Sequence, residues 1–287
     1  YYFVLEDRAT GKVVGSSMIV AQHGTPEEPH TFFMVLPKRK VSKSLHMGFL
    51  HQVLRLGFDY DGPTEIGGLV LQRDYRSHPD KLGLLLSFSR FVYMAARRPQ
   101  FREEVLVELM PPFNERGESP IWEEVGRKFT NLRYDEADRL SRRNKEFITS
   151  LFPEGDIYTC MLSSEGREAI GQVGPETQGV RRMLESIGFK YRSMIDPFDG
   201  GPHYWAKTSQ IDPVRRSKLV KKAQRDLKDA PTQEGILLAF SKKGARSVKT
   251  AIRIRGTEFS VSPEVERELG LEDGLECYFL EMKNDRT

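Results

Sequence analysis

Ile170–Tyr191 reads IGQVGPETQGVRRMLESIGFKY, a turn, a helix, a stop and the start of a strand. The tight turn at Gly171 and Gly174-Pro175 opens a helix whose apolar residues, Val180, Met183, Leu184 and Ile187, recur at helical spacing. Gly188 ends that helix, because the residue past a helix C-terminus often needs a left-handed backbone that glycine adopts without strain. Phe189 and Tyr191 then begin a strand.

Outward from this segment, short strands alternate with helices. Tyr1–Leu5 (YYFVL) and Lys12–Ala21 (KVVGSSMIVA) are β-rich runs joined by the turn Asp7–Gly11, a hairpin pattern. Thr31–Leu36 (TFFMVL) predicts a third strand and Lys38–Lys43 a solvated loop, while His46–Phe58 reads as irregular or helical. Glu65–Leu71 (EIGGLVL) is a short apolar run, as expected of a strand buried on both faces. Leu82–Arg97 predicts a helix with Leu84, Leu85, Phe88, Phe91 and Val92 on one stripe, ended by Pro99. Val105–Met110 (VLVELM) is the next buried strand. Trp122–Phe129 and Tyr134–Asn144 read as helical, Phe147–Leu151 as a short continuation, Asp156–Leu162 (DIYTCML) as strand and Ser164–Ile170 as helix. Trp122–Phe129 (WEEVGRKF) and Leu184–Tyr191 (LESIGFKY) superimpose at an offset of 62 residues, so a duplicated half-domain is one reading.

Ala230–Gly235 (APTQEG) reads as a linker. Beyond it, Ile236–Phe240, Val248–Ile254, Glu258–Val261 and Glu276–Glu281 are short strands with one helix, Pro263–Leu269. The expected architecture is α+β, with a main domain over 1–229 and a small β-rich C-terminal subdomain over 230–287.

The 287 residues carry 44 basic and 41 acidic side chains, a net charge of +3 that gives no argument for nucleic acid. Lys207–Lys228 holds eight basic residues against two acidic ones but no interleaved aromatic, so it reads as a solvated helix face. No window approaches the roughly 18 apolar residues of a membrane span, and no membrane partner is expected. Cys160 and Cys277 lie far apart and read as packed thiols of a reducing compartment, which predicts a cytoplasmic location. His23, His30, His46, His51 and His78 show no metal-ligand spacing, and no metal is expected.

Helix, glycine, aromatic, strand over Val180–Tyr191 resembles the closing unit of the acyl-CoA N-acyltransferase (GNAT-like) fold. With Ile195–Pro202 (IDPFDGGP) after it, the segment is similar to arginine N-succinyltransferase. Tyr2–Gly15 (YFVLEDRATGKVVG), Gly83–Phe91, Ser119–Asp138 (SPIWEEVGRKFTNLRYDEAD) and Gly188–Pro202 resemble that family in order and approximate spacing, out to Ile211–Val220 (IDPVRRSKLV). The resemblance implies a mixed sheet flanked by helices and an upstream piece holding the first strand and helices of the acyltransferase core. It also implies transfer of a succinyl group from succinyl-CoA to the α-amine of arginine or a related amino acid. A homo-oligomer, or a hetero-oligomer with a related subunit, fits the family.

The family's turn reads GQVHP, with the histidine as its proposed proton donor; here that position is Gly174. The family's succinyl-CoA contact falls on Leu69, so the main chain of Leu69, Val70 and Leu71 is expected to meet the CoA arm. Arg76, Lys81 and Gly83, in the loop before the Leu84 helix, are expected at the phosphates, because a helix N-terminus favours anions. With no histidine at Gly174, the candidates to take the amine's proton are Glu108 (in VELM), Glu65 (opening EIGGLVL) and His203 (in GGPHYW). Structural ion pairs and a packed histidine are their ordinary alternatives. Asp196 and Asp199 can hold a guanidinium bidentately, or else cap the turn at Gly200-Gly201. Gly174 also admits another reading, a non-catalytic or regulatory paralogue that binds CoA or an amino acid. An N-acyltransferase for a different amine is a further alternative.

Overall fold

The computed structural model describes residues 1–141, 145–242 and 244–282. Its first strands are β1 (Tyr2–Asp7), β2 (Lys12–Val20), β3 (His30–Ser42), β4 (Met47–Asp59) and β5 (Thr64–Leu71), followed by helix α1 (Leu82–Ala96) and strand β6 (Glu104–Glu108). Helices α2 (Arg127–Thr130), α3 (Tyr134–Ser141) and α4 (Glu146–Leu151) precede β7 (Ile157–Tyr158), α5 (Ser164–Ala169) and α6 (Gln178–Ser186). Next come β8 (Lys190–Ile195), β9 (Pro202–Lys207), α7 (Asp212–Arg216), β10 (Lys218–Lys222), β11 (Thr232–Ser241), β12 (Gly244–Arg255), β13 (Glu258–Ser260), α8 (Pro263–Leu269) and β14 (Glu276–Glu281). The fold is α+β. No helix among the described residues is long and apolar enough to cross a membrane.

Two compact units form. One comprises Tyr1–Ala21, Ile66–Glu103 and Lys207–Thr287; the other comprises Gln22–Glu65 and Glu104–Ala206. In the second unit the strands lie in the order β6-β9-β8-β3-β4-β7. The first two residues of β5 run parallel to β6, Thr64 opposite Val105 and Glu65 opposite Leu106. Trp122 is its central core residue, fully buried and packed on Phe147, Phe152 and Phe198, with its indole N–H donated to Leu132 O at 3.0 Å.

The helix and stop expected over Gln178–Gly188 are present: Gly188 has φ 112° and Phe189 is buried behind it. The helix of Trp122–Phe129 is also present, but Gly126 is helical, with φ −53°, and does not stop it. The echo between the two segments therefore does not extend to their backbones. Lys38–Ser42 and Met47–Phe58 are strand and not loop or helix, with Lys43–His46 the turn between them. They belong to a long hairpin in which β3 and β4 pair from His30–Asp59 to Ser42–Met47. Its outer end leaves Val41, Phe49 and Leu50 exposed, so no buried stripe marks it in the sequence. Asp156–Leu162 is strand only over Ile157–Tyr158, then turns through Thr159–Met161. Of the helix expected to Asn144, α3 covers Tyr134–Ser141, and 142–144 lie outside the described residues.

In the first unit β1, β2 and β5 are neighbours, and β10-β13-β12-β11-β14 close into a barrel. Helix α1 buries Val92 against Ile236, Leu238 and Leu280 of the barrel strands. Within β5 the burial is not two-sided, since Val70 is 58% exposed. The basic stretch 207–228 is not one helix face. Lys218–Lys222 is a barrel strand paired with β14, burying Val220 and Lys222. Lys222 is held by Glu266 at 2.9 Å and its own neighbour's carbonyl, Ala223 O, at 2.8 Å. The expected linker Ala230–Gly235 enters β11 at Thr232.

Candidate active site

Five of the candidates chosen from sequence belong to the second unit, and the fold adds three residues to them. His23 sits in the turn after β2, where its N–H donates to Pro63 O at 2.7 Å. That approach depends on glycine: a Cβ on Gly62 would lie 1.9 Å from His23 O. His23 is thereby set beside Glu65 at the start of β5, with Nδ1 3.0 Å from Glu65 Oε2. His30 opens β3, Glu108 closes β6 and His203 lies in β9, which joins the end of β6 through Leu109 N–H donating to Pro202 O at 3.1 Å.

These side chains converge on one point. Glu108 Oε1 lies 3.3 Å from His203 Nε2 and 3.7 Å from His30 Nε2. The His30 ring stacks on His203 at 5.3 Å between centroids and meets His23 edge-on at 4.8 Å. The side chains of His30 and His203 are 1% and 0% exposed, and neither ring has a hydrogen-bond partner for either nitrogen among the described residues. Glu108 and His23 are 24% and 26% exposed, so the cluster opens to solvent on their side.

The electrostatics separate the groups. Burial acts to raise the Glu108 carboxyl, but the His30 ring and the charges around it, Lys145 the permanent one, hold it well below the carboxylate range. Burial pushes the His203 imidazole down to about 4, so it is neutral at pH 7. Burial also works against a charged His23, yet its bond to Glu65 and the charge there outweigh burial and raise it. Lys145 is raised, chiefly by Asp196, and held charged. Asp196 is pushed up to about 6 by burial and by the Glu108 charge, and Asp199 well above its ordinary value by burial and by Asp196. An arriving cation would stabilise both carboxylates in their ionised form. Each aspartate also caps its turn, Asp196 Oδ1 accepting the Phe198 N–H at 2.6 Å and Asp199 Oδ1 the Gly201 N–H at 2.8 Å.

Gly174 lies in an extended turn ahead of α6, and its N–H donates to Met110 O at 2.8 Å. A Cβ there would stand 2.6 Å from Pro111 O and 3.1 Å from Met110 O. The turn therefore has no room for any side chain at this position while the main chain keeps its course.

Leu69, Val70, Leu71, Arg76, Lys81 and Gly83 belong to the first unit. Leu69–Leu71 end β5, Arg76 donates Nε–H to Leu71 O at 3.0 Å, and Lys81 takes a left-handed backbone (φ 53°) just before α1, where Gly83 is the second residue. A groove of about 1430 Å³ lies wholly within that unit, between β1, α1 and β12, and none of these six residues lines it.

His23, His30 and Lys145 were not among the candidates read from sequence. His23 and His30 stand in a turn and at a strand start, with no ligand spacing to mark them, and Lys145 precedes a short helix.

The family described as arginine N-succinyltransferase beta subunit matches residues 1–213. Arginine N-succinyltransferase of Shigella boydii serotype 18 is 38% identical over 225 residues, which are 78% of this chain and 64% of the relative. The same figures hold for arginine N-succinyltransferase of Escherichia coli strain K12 / DH10B. The chain thus spans less than two thirds of the length of these relatives. Among solved structures, the arginine/ornithine succinyltransferase subunit AI of Pseudomonas aeruginosa superimposes with a TM-score of 0.82 at 31% identity, covering 98% of this chain and 81% of that one.

Proposed function

This chain belongs to the arginine N-succinyltransferase family, and we propose that it transfers a succinyl group from succinyl-CoA to the α-amine of arginine or a related amino acid. The amine nitrogen attacks the thioester carbonyl directly, the C–N bond forms, the C–S bond breaks and CoA leaves as the thiol. The observation that carries this reading is that Glu65, Glu108, His203 and the turn of Asp196 and Asp199, polar candidates from four separate segments, lie within one compact unit of a family member.

An ammonium at neutral pH must lose a proton before it can attack, and Glu108, Glu65 and His203 are the groups offered to take it; Glu108 is held ionised and can accept a proton, but its depressed pKa makes it a weak base. Asp196 and Asp199 hold the acceptor's guanidinium, a pairing favoured by their buried, mutually repelling carboxyls. The main chain of Leu69–Leu71 takes the CoA arm, as the resemblance implies. Arg76, Lys81 and the N-terminus of α1 at Gly83 take the phosphates. Orientation of amine and thioester supplies most of the rate in such a scheme, and no covalent enzyme intermediate is required. The Pseudomonas aeruginosa relative is described as a subunit, which supports assembly of this chain with a second copy or a related subunit.

Gly174 favours a second reading, a paralogue that binds CoA or an amino acid without turning over, since the family's proton donor has no space there. One assay separates the two: thiol release from succinyl-CoA with arginine, with ornithine and with no acceptor. Arginine-dependent release that falls by roughly 10²- to 10⁴-fold in Glu108→Gln supports the enzyme and its proton acceptor. Silence with every amine, beside calorimetric CoA binding, supports the binding subunit. Full turnover in Glu108→Gln, Glu65→Gln and His203→Ala together would remove all three residues from the chemistry.

A further inference from the structure

His23, His30 and Glu108 have a property beyond proton transfer. Their donor atoms, one from each residue, all lie within 4.8 Å of one another. Around a first-row ion with ligand bonds of about 2.0–2.2 Å, tetrahedral donors stand roughly 3.4 Å apart. Glu108 Oε1 and His30 Nε2 are already 3.7 Å apart. From this geometry we infer that His23, His30 and Glu108 form a binding site for a divalent transition-metal ion. Two imidazoles and one carboxylate suit Zn²⁺, Co²⁺ or Ni²⁺ rather than Mg²⁺ or Ca²⁺, which prefer all-oxygen shells.

Three independent observations support it. First, His30 is 2% exposed, and neither of its ring nitrogens has a hydrogen-bond partner among the described residues. A buried polar atom without a partner is costly, and a ligand bond removes that cost. Second, the outer support is present. Glu65 Oε2 lies 3.0 Å from His23 Nδ1, so a proton there leaves Nε2 as the donor. His203 Nε2 lies 3.3 Å from Glu108 Oε1 on the buried side. Third, His23 is 26% exposed, which gives an ion a way in. The charged groups facing the cluster are Lys145, which opposes a dication, and Asp196 and Asp199, which favour one. Three protein ligands leave one tetrahedral position open, the arrangement of metal sites that also bind a water or a substrate group.

The site shares Glu108 with the proposed acyl transfer. A dication on these donors withdraws Glu108 from proton transfer, so binding is tested by itself. The purified full chain, stripped with a chelator, is titrated with Co²⁺ followed by visible absorption, and with Zn²⁺ followed by calorimetry. The expected result is saturable uptake of a single ion. His23→Ala and Glu108→Gln weaken it by about 100-fold or more, and Glu65→Gln by about 10- to 100-fold through the His23 ring. His46→Ala and His78→Ala leave it unchanged. His23 and Glu108 are partly exposed, so these variants stay folded where His30→Ala, in the core, can fail, and circular dichroism verifies each. Failure of the stripped wild type to take up either ion, or equal affinity in wild type, His23→Ala and Glu108→Gln, overturns the proposal. Arginine-dependent thiol release is measured separately, so failure of the metal site and failure of acyl transfer remain distinguishable.

Discussion

Replacing Gly174 by alanine tests whether the loss of the family's histidine is a vacancy or a packed turn. The added Cβ would meet Pro111 O at 2.6 Å, Pro111 C at 3.0 Å and Met110 O at 3.1 Å. All three are main-chain atoms, so no side chain can rotate aside. Either the turn moves away, losing the Gly174 N–H bond to Met110 O and straining the two bonds Thr177 Oγ1 makes to Met110 O and Gly174 O, or Met110–Pro111 shifts. Overpacking of this kind costs about 1–3 kcal/mol, and the lost hydrogen bond adds about 1 kcal/mol. At about 2–4 °C per kcal/mol for a chain of this order of size, Gly174→Ala lowers Tm by roughly 5–15 °C. Thermal unfolding by circular dichroism and urea titration read it directly. Gly174→His, which reinstates the family's residue, is expected to be at least as destabilised and to gain no thiol release. An alanine variant within about 1 °C of wild type would refute the steric argument and reopen this position to a side chain.

Other outcomes follow from single contacts. Trp122→Ala removes a large, fully buried ring of the second unit's core and its bond to Leu132 O, so stability falls by about 3–5 kcal/mol in urea unfolding; a loss under about 1 kcal/mol would contradict this placement. Asp156 is held below its usual range by the bidentate Arg55, at 2.7 and 3.1 Å, and by Lys38. Because the folded value is depressed, its contribution is complete above about pH 4 and is lost as pH falls below that. The gap in urea midpoint between wild type and Asp156→Asn should therefore narrow on acidification from pH 7 toward 2.5, and a gap that stays constant or widens would be inconsistent with it. If Asp199 receives the guanidinium, Asp199→Asn raises KM for arginine by roughly 10- to 100-fold, the worth of one charge-assisted bond, and narrows the preference for arginine over uncharged citrulline. An unchanged arginine KM with native circular dichroism would return Asp199 to its turn-capping role alone.

The limits of the sequence are physical, and particular residues show where they fall. Helix α6 with its Gly188 stop and the stripe of α1 are encoded within one element, and periodicity reads such features directly. Glu65, Glu108 and His203 read from sequence one at a time as candidates on or beside central strands. Their meeting point was not, because it depends on β9 lying against β6 and on the turn after β2 reaching back to Pro63, pairings between segments remote in sequence. His23 and His30 show the cost of reading ligand sites by spacing alone: seven positions apart, on a turn and a strand, they fit no helical or loop pattern, yet their rings meet at 4.8 Å. Lys222 fails in the opposite direction. A lysine in a basic run reads as solvated, but alternation on β10 turns it inward, where Glu266 on another element offsets its charge. Gly174 joins both lessons. The resemblance places the family's histidine at Gly174, and only the tertiary path of Met110–Pro111 shows that no Cβ fits there without a shift of the main chain. In the proposed acyl transfer the groups offered to take the proton, Glu65, Glu108 and His203, stand on β5, β6 and β9 and not on that turn.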